Sequence, residues 1–206
     1  MMRVPLSISL LCAWLMSSAD CSHIRGGSMS WKPTTNASQI EISHQMAWRR
    51  SSSSSSFCND ATIATQGTLT VSAYLYCRVG CNSSSRISLM HGKCIAYSAS
   101  EDWSLGEDSF IFNVPIPGIK YTFRLEDCCW QSIRNRGSSD SMRMTMTADL
   151  RPRADTGVMN SSPVATMSPI VRLLAGCQHS FRIPETGWSA KDKSVQGLTN
   201  PPYPGF

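Results

Sequence analysis

The chain has 206 residues, with 19 Lys and Arg against 14 Asp and Glu for a net charge of +5. That length holds one full domain and part of a second, and a charged fraction of 16% sits below the usual quarter. The mild basic excess is scattered in pairs such as Arg49-Arg50, Arg134/Arg136 and Arg151/Arg153, which excludes a nucleic-acid-binding stripe. These read as solvated pairs, with glycosaminoglycan contact as the sharper alternative.

The first 19 residues carry the signature of a signal peptide. Arg3 supplies a positive n-region, Val4 to Met16 an apolar run, and Ser17 and Ala19 the small residues of a cleavage site. The run is shorter than the ~20 apolar residues that span a bilayer. No later stretch approaches that length, so the mature chain is read as secreted, without membrane insertion. Cleavage after Ala19 removes Cys12, one of nine cysteines, and leaves an even set: Cys21, Cys58, Cys77, Cys81, Cys94, Cys128, Cys129 and Cys177. In an oxidising compartment these are disulfide candidates, whose pairing spacing alone leaves open. Asn36, Asn82 and Asn160 each open an N-x-Ser sequon and are candidates for N-glycans.

Period-two alternation dominates the rest of the chain. Ile40, Ile42, Met46 and Trp48 share one face of an extended segment, with Glu41, Ser43, Gln45 and Arg49 opposite. The six-serine run Ser51–Ser56 then reads as a hairpin connection or polar edge. Leu69, Val71, Ala73 and Leu75 repeat the pattern, followed by Phe110, Phe112 and Val114, and by Tyr121, Phe123 and Leu125. Met142, Met144, Met146, Ala148 and Leu150 alternate with Arg143, Thr145, Thr147 and Asp149. Strands of this kind bury one face and wet the other, and their Gly, Pro, Asn and Ser punctuation predicts an antiparallel β-sandwich. Composition shifts at 155–169, rich in Ser, Thr, Pro and Gly, which reads as a linker. Ile170–Leu173 and Phe181–Ile183 then resemble the opening hairpin of a second β-domain, before an irregular tail at 185–206.

Chemistry-bearing patterns are sparse. Cys77, Cys81, His91 and Cys94 have the spacing of a zinc knuckle, yet secretion favours disulfides over reduced thiolates. Cys128 and Cys129 are adjacent on an expected strand, so their side chains leave opposite faces and should find different partners. Cys177 either cross-links the two units or awaits a partner. Glu101-Asp102, Glu107-Asp108 and Glu126-Asp127 are neighbouring carboxylates that read as solvated turn residues. Paired carboxylates are also the machinery of hydrolases. Trp48, Trp103 and Trp130 read as packing residues, and the stretch Ser98–Asp108 as a loop that could present a contact surface. No catalytic, metal-binding or cofactor-binding residue is assigned, and no cofactor is expected.

Six strings in order carry a resemblance: GGSMSWKP (26–33), IEISHQMAWRRS (40–51), FCNDATIATQGTL (57–69), CIAYSASEDWSLGE (94–107), YTFRLEDCCW (121–130) and the stretch from Ala148 to Pro184. Together they resemble the N-terminal region of large, mostly uncharacterised metazoan extracellular proteins of marine invertebrates and fishes. The resemblance implies an adhesion or receptor-like ectodomain without catalytic residues, continuing into an Ig- or cadherin-like repeat. After Ile183-Pro184 this chain departs from that pattern, which implies a truncated form.

The resulting expectation is an all-β protein. It comprises a disulfide-stabilised β-sandwich at 22–154 and the first hairpin of an incomplete Ig- or cadherin-like second domain at 170–184. Its expected job is non-enzymatic extracellular recognition or adhesion, binding protein or glycan partners and no nucleic acid. The rival readings are a secreted hydrolase using Asp102, Glu107, Asp127 or His91, and a fragment without independent function.

Overall fold

A computed structural model describes residues 24–81, 85–127, 130, 141–165, 169–180 and 185–186. The 1–19 segment, Cys21, Asn82 and the Cys128-Cys129 pair lie outside the described residues, as does the side chain of Asp127. Seven strands build one antiparallel sheet. They are β1 (Ile24–Pro33), β2 (Gln39–Arg49), β3 (Thr68–Val79), β4 (Ser85–Ser98), β5 (Trp103–Asn113), β6 (Lys120–Asp127) and β7 (Met142–Asp149). Their spatial order is β1-β2-β5-β4-β3-β6-β7. The meander β3-β4-β5 with β6 returning beside β3 is a Greek key.

The fold is all-β and antiparallel, and its sandwich comes from one continuous sheet rolled nearly closed. The two edge strands meet: the Trp31 indole N–H on β1 donates to the Thr147 carbonyl on β7 at 3.1 Å. Ile24, at the start of β1, also bridges to Trp130. Rolling follows from the alternation. Ile40, Ile42, Met46 and Trp48 on β2, Leu69, Ala73 and Leu75 on β3, and Tyr121, Phe123 and Leu125 on β6 are all buried. Each of these strands therefore turns its apolar parity to one shared interior. Phe112 meets Phe123 edge-on at 5.1 Å within it. Full burial of each large apolar side chain contributes about 1.5–3 kcal/mol. Gly92 and Gly106 let β4 and β5 approach closely. A side chain on Gly92 would meet the Glu107 backbone nitrogen at 2.8 Å, and one on Gly106 would meet the Trp48 ring at 3.0 Å.

Three elements differ from the sequence expectation. The serine run joins β2 to β3, which are not neighbours, so it is a crossover and not a hairpin. It folds as two 3-10 turns, Arg50–Ser52 and Ser54–Ser56. The Asp102 carboxylate braces the first turn, accepting from the Ser51 backbone N–H at 2.8 Å and its hydroxyl at 2.7 Å. A short helix α1 (Asp60–Ala64) follows, capped by Asn59, whose Oδ1 accepts from the Thr62 N–H at 2.8 Å.

Second, most of the stretch Ser98–Asp108 is strand. Trp103–Asp108 lies within β5, flanked by β2 and β4, so only the turn before Trp103 is loop. The long strand β4 was hidden because its inward positions are Met90, Gly92 and Cys94, too few large apolar residues to mark a period.

Third, Ile170–Leu173 forms no strand, and Val171, Leu173 and Leu174 are exposed. The pairing found in this region is instead β8 (Val164–Ala165) with β9 (Glu185–Thr186). Two residues a side is less than an independently stable hairpin needs. Phe181–Ile183 lies outside the described residues. The stretch read as a linker leans on the roll: the Ser162 N–H donates to the Trp31 carbonyl at 2.9 Å, and Met159 packs against the core.

Candidate binding groove

The register of β1, β2 and β5 decides which side chains stand together on the outer face. Ser28 lies opposite Gln45, and Gln45 opposite Glu107. In the next outward row Ser30 lies opposite Ser43, and Ser43 opposite Ser109. A third row pairs Lys32 with Glu41, whose charged ends sit 3.1 Å apart. Residues 158–164, running along the free edge of β1, raise one wall. The result is an open groove of about 940 Å³ on this face, lined also by Lys93, Ser161 and Ser162.

Its chemistry is that of serine hydroxyls and the Gln45 amide, with Lys32, Lys93, Glu107 and Asp108 as its charged groups. The Gln45 amide donates to Glu107 Oε2 at 3.0 Å. Lys93 donates to Gln66 at 3.3 Å. Serine hydroxyls both donate and accept, so such rows match polar ligands of either sense. Val158, Met159 and Val164 add apolar contact along the wall.

Beneath the groove sits a histidine pair. His44 is buried, and its Nε2–H donates to the His91 carbonyl at 2.9 Å. That contact assigns the neutral tautomer protonated at Nε2. Its Nδ1 is buried without a hydrogen-bond partner. Burial pushes the His44 pKa below 6.5, against the opposing pull of the His91 carbonyl and Asp108. The exposed His91 ring meets Asp108 at 3.1 Å.

The residues singled out for a hydrolase are dispersed. Asp102 sits in the β4–β5 turn and is committed to Ser51 and Arg49. Burial opposes its ionisation, but the Ser51 hydrogen bonds and Arg49 outweigh it and hold the carboxyl below its usual range. Glu107 lies five positions along the extended strand, roughly 16 Å away at ~3.3 Å per residue. Paired glycosidase carboxylates stand within about 9.5 Å of one another. The two therefore do not form such a pair.

The cysteines with knuckle spacing are separated in the same way. Cys77 bonds to Cys81, while Cys94 bonds to Cys58 and ties the crossover to β4. The four thiols are thus held as two disulfides, and the zinc reading falls. Cys177 is free and exposed. Asn36, in the β1–β2 turn, and Asn160, between two groove-lining residues, are both exposed.

What sequence reading missed is the serine ladder. Alternation marked Ser43 and Gln45 as outward-facing, but placing Ser30 and Ser109 beside them required the pairing of β1 and β5 with β2.

A rolled Greek-key sheet with disulfides and a polar outer groove defines an all-β, disulfide-bonded module. The family model for the N-terminal region of integrin beta-like proteins A–E matches residues 25–151, and this chain belongs to that family. Integrin beta-like protein C of Dictyostelium discoideum is 25% identical over 193 residues. The alignment takes in 91% of this chain, which spans 9% of that relative's length. No solved structure matches the chain. The resemblance to large extracellular proteins thereby becomes a defined family, whereas the metazoan source and the truncation are not shown by these matches.

Proposed function

We propose that this chain is an extracellular adhesion-type recognition module, secreted and non-enzymatic, that binds protein or glycan partners through the β1–β2–β5 groove. The observation that carries the reading is the integrin beta-like family match across the rolled sheet. The groove supports it, because paired rows of serine hydroxyls with an amide and a carboxylate offer many weak, adaptable hydrogen bonds to a polar surface. Two disulfides among the described residues suit the oxidising compartment that the 1–19 signal implies. Glycans at the exposed Asn36 and Asn160 fit the same compartment, and one at Asn160 stands on the groove's rim.

The test begins with the chain expressed in a eukaryotic host, collected from the medium, and screened before and after deglycosylation against immobilised oligosaccharides and cell-surface proteins. Ser30→Trp and Ser43→Trp then fill the groove from its outward side without touching the core. Either variant is expected to weaken a captured partner by about tenfold or more, equivalent to ~1.4 kcal/mol, with melting temperature unchanged. Partners held equally well by both variants would remove the groove from the proposal, and failure to reach the medium would remove secretion.

A further inference from the structure

On the other side of the roll, β4, β3, β6 and β7 present an outer face of opposite character. Register aligns Arg86 with Tyr76, Tyr76 with Arg124, and Arg124 with Thr145. The adjacent row runs Tyr74, Glu126, Arg143. The Arg86 guanidinium lies 3.7 Å from the Tyr74 ring centroid, and that of Arg78 lies 4.5 Å from Tyr76. Four arginines thus share this face with one carboxylate, Glu126, which bonds Arg78 at 2.6 Å and Arg124 at 3.3 Å. Arg86 and Arg143 are exposed, and no ion pair holds either one to a described residue. None of the sequence-adjacent basic pairs predicts this cluster, because its members come from four strands.

We propose that this face is an attachment surface for a sulfated polysaccharide. The chemistry argues for that class in three steps. The Arg86 guanidinium, stacked on the Tyr74 ring, loses little further rotamer freedom on binding and keeps in-plane N–H donors for a sulfate or carboxylate. The rows repeat at the ~4.8 Å spacing of neighbouring strands, so the positive charge is spread over a broad surface and matches a linear polyanion rather than a single ion. The rows cross the interior strands β3 and β6, whose main-chain groups are already paired on both sides. A peptide partner that gains affinity by adding a strand needs a free edge, and this face offers none at its centre. The face is separate from the serine groove, so its binding stands or falls independently of the groove.

The experiment uses the full chain and heparin as the sulfated probe, with neutral dextran and polyglutamate as comparisons. Arg86→Ser/Arg143→Ser removes two exposed charges, and Arg153→Ser/Arg172→Ser removes two charges outside the sheet as a net-charge control. The wild type is expected to bind heparin with a steep salt dependence and to ignore dextran. The Arg86/Arg143 variant is expected to bind at least ~10-fold more weakly, with a shallower salt slope, while the control loses less than about threefold. Equal losses in both variants would reduce the effect to net charge and overturn the proposal. Capture on polyglutamate as tight as on heparin would assign the face to acidic protein segments instead, and absence of heparin binding at low salt would end it. Ser43→Trp should leave heparin affinity unchanged, which separates failure of this face from failure of the groove.

Discussion

The outer face of β1–β2–β5 and the outer face of β4–β3–β6–β7 belong to the same rolled sheet and cover the same core, yet they carry opposite chemistry. One is a groove of serines with charges of both signs, walled by residues 158–164; the other is a face of arginines, two of them laid on tyrosines. The inward parity is constrained almost identically on both sides, by burial of large apolar groups such as Trp48 and Phe123. The outward parity escapes that constraint. A half-buried strand commits only every second residue to packing, and the remaining positions are free to differ between two sides of one molecule.

The largest effect should come from breaking what the two faces share. Trp48→Ala empties the centre of the core and should cost about 3–5 kcal/mol, since a buried tryptophan loses both transfer energy and packing. Denaturant unfolding should show the loss, and both faces should fail together. A variant that lost one face and kept the other would show two separately stable halves. Next is the disulfide. Cys58→Ala/Cys94→Ala opens a link across 36 residues and should cost about 2–4 kcal/mol in melting experiments. Cys94 adjoins the groove-lining Lys93, whereas Arg86 lies at the far end of β4, so groove binding should weaken before heparin binding does.

The smallest effect sharpens the contrast by acid. Burial favours the neutral form of His44 and lowers its pKa in the folded protein below 6.5. The unfolded chain therefore takes up a proton at higher pH than the folded one. The stabilisation is complete above that ordinary value and declines as pH falls through it toward the folded pKa. Unfolding measured at about pH 7.5 and about pH 5.5 should show the wild type losing stability relative to His44→Gln. A parallel pH dependence in the two proteins would clear His44 of the role.

Much of the fold is legible in the residues themselves. Alternation in 40–48, 69–75, 121–125 and 142–150 marks strands and their buried faces, because a period of two can serve an extended chain with one wet side. β4 was not legible, since Gly92 and Cys94 pack inward without looking hydrophobic over a run. The 170–173 run shows the converse failure. Ile170, Val171 and Leu173 have strand-like composition, but among the described residues none pairs with them and they form no strand. A strand is a property of two segments, and only one is visible in a local pattern.

The same limit divides the candidate sites. Cysteine spacing left Cys77, Cys81 and Cys94 open between a metal and disulfides, and the rolled sheet brings Cys58 to Cys94 across the crossover. Carboxylate neighbours along the chain, such as Glu107 and Asp108, are each committed to a different strand, Glu107 to the Gln45 amide on β2 and Asp108 to the His91 ring on β4. By itself the sequence determined the all-β class and the parity of most strands, because each rests on local periodicity or composition. Tertiary structure alone decided the roll, the cysteine partners, the serine groove and the arginine–tyrosine face. Each of those depends on register between strands distant in sequence, and a shift of one residue would turn every outward side chain into the core.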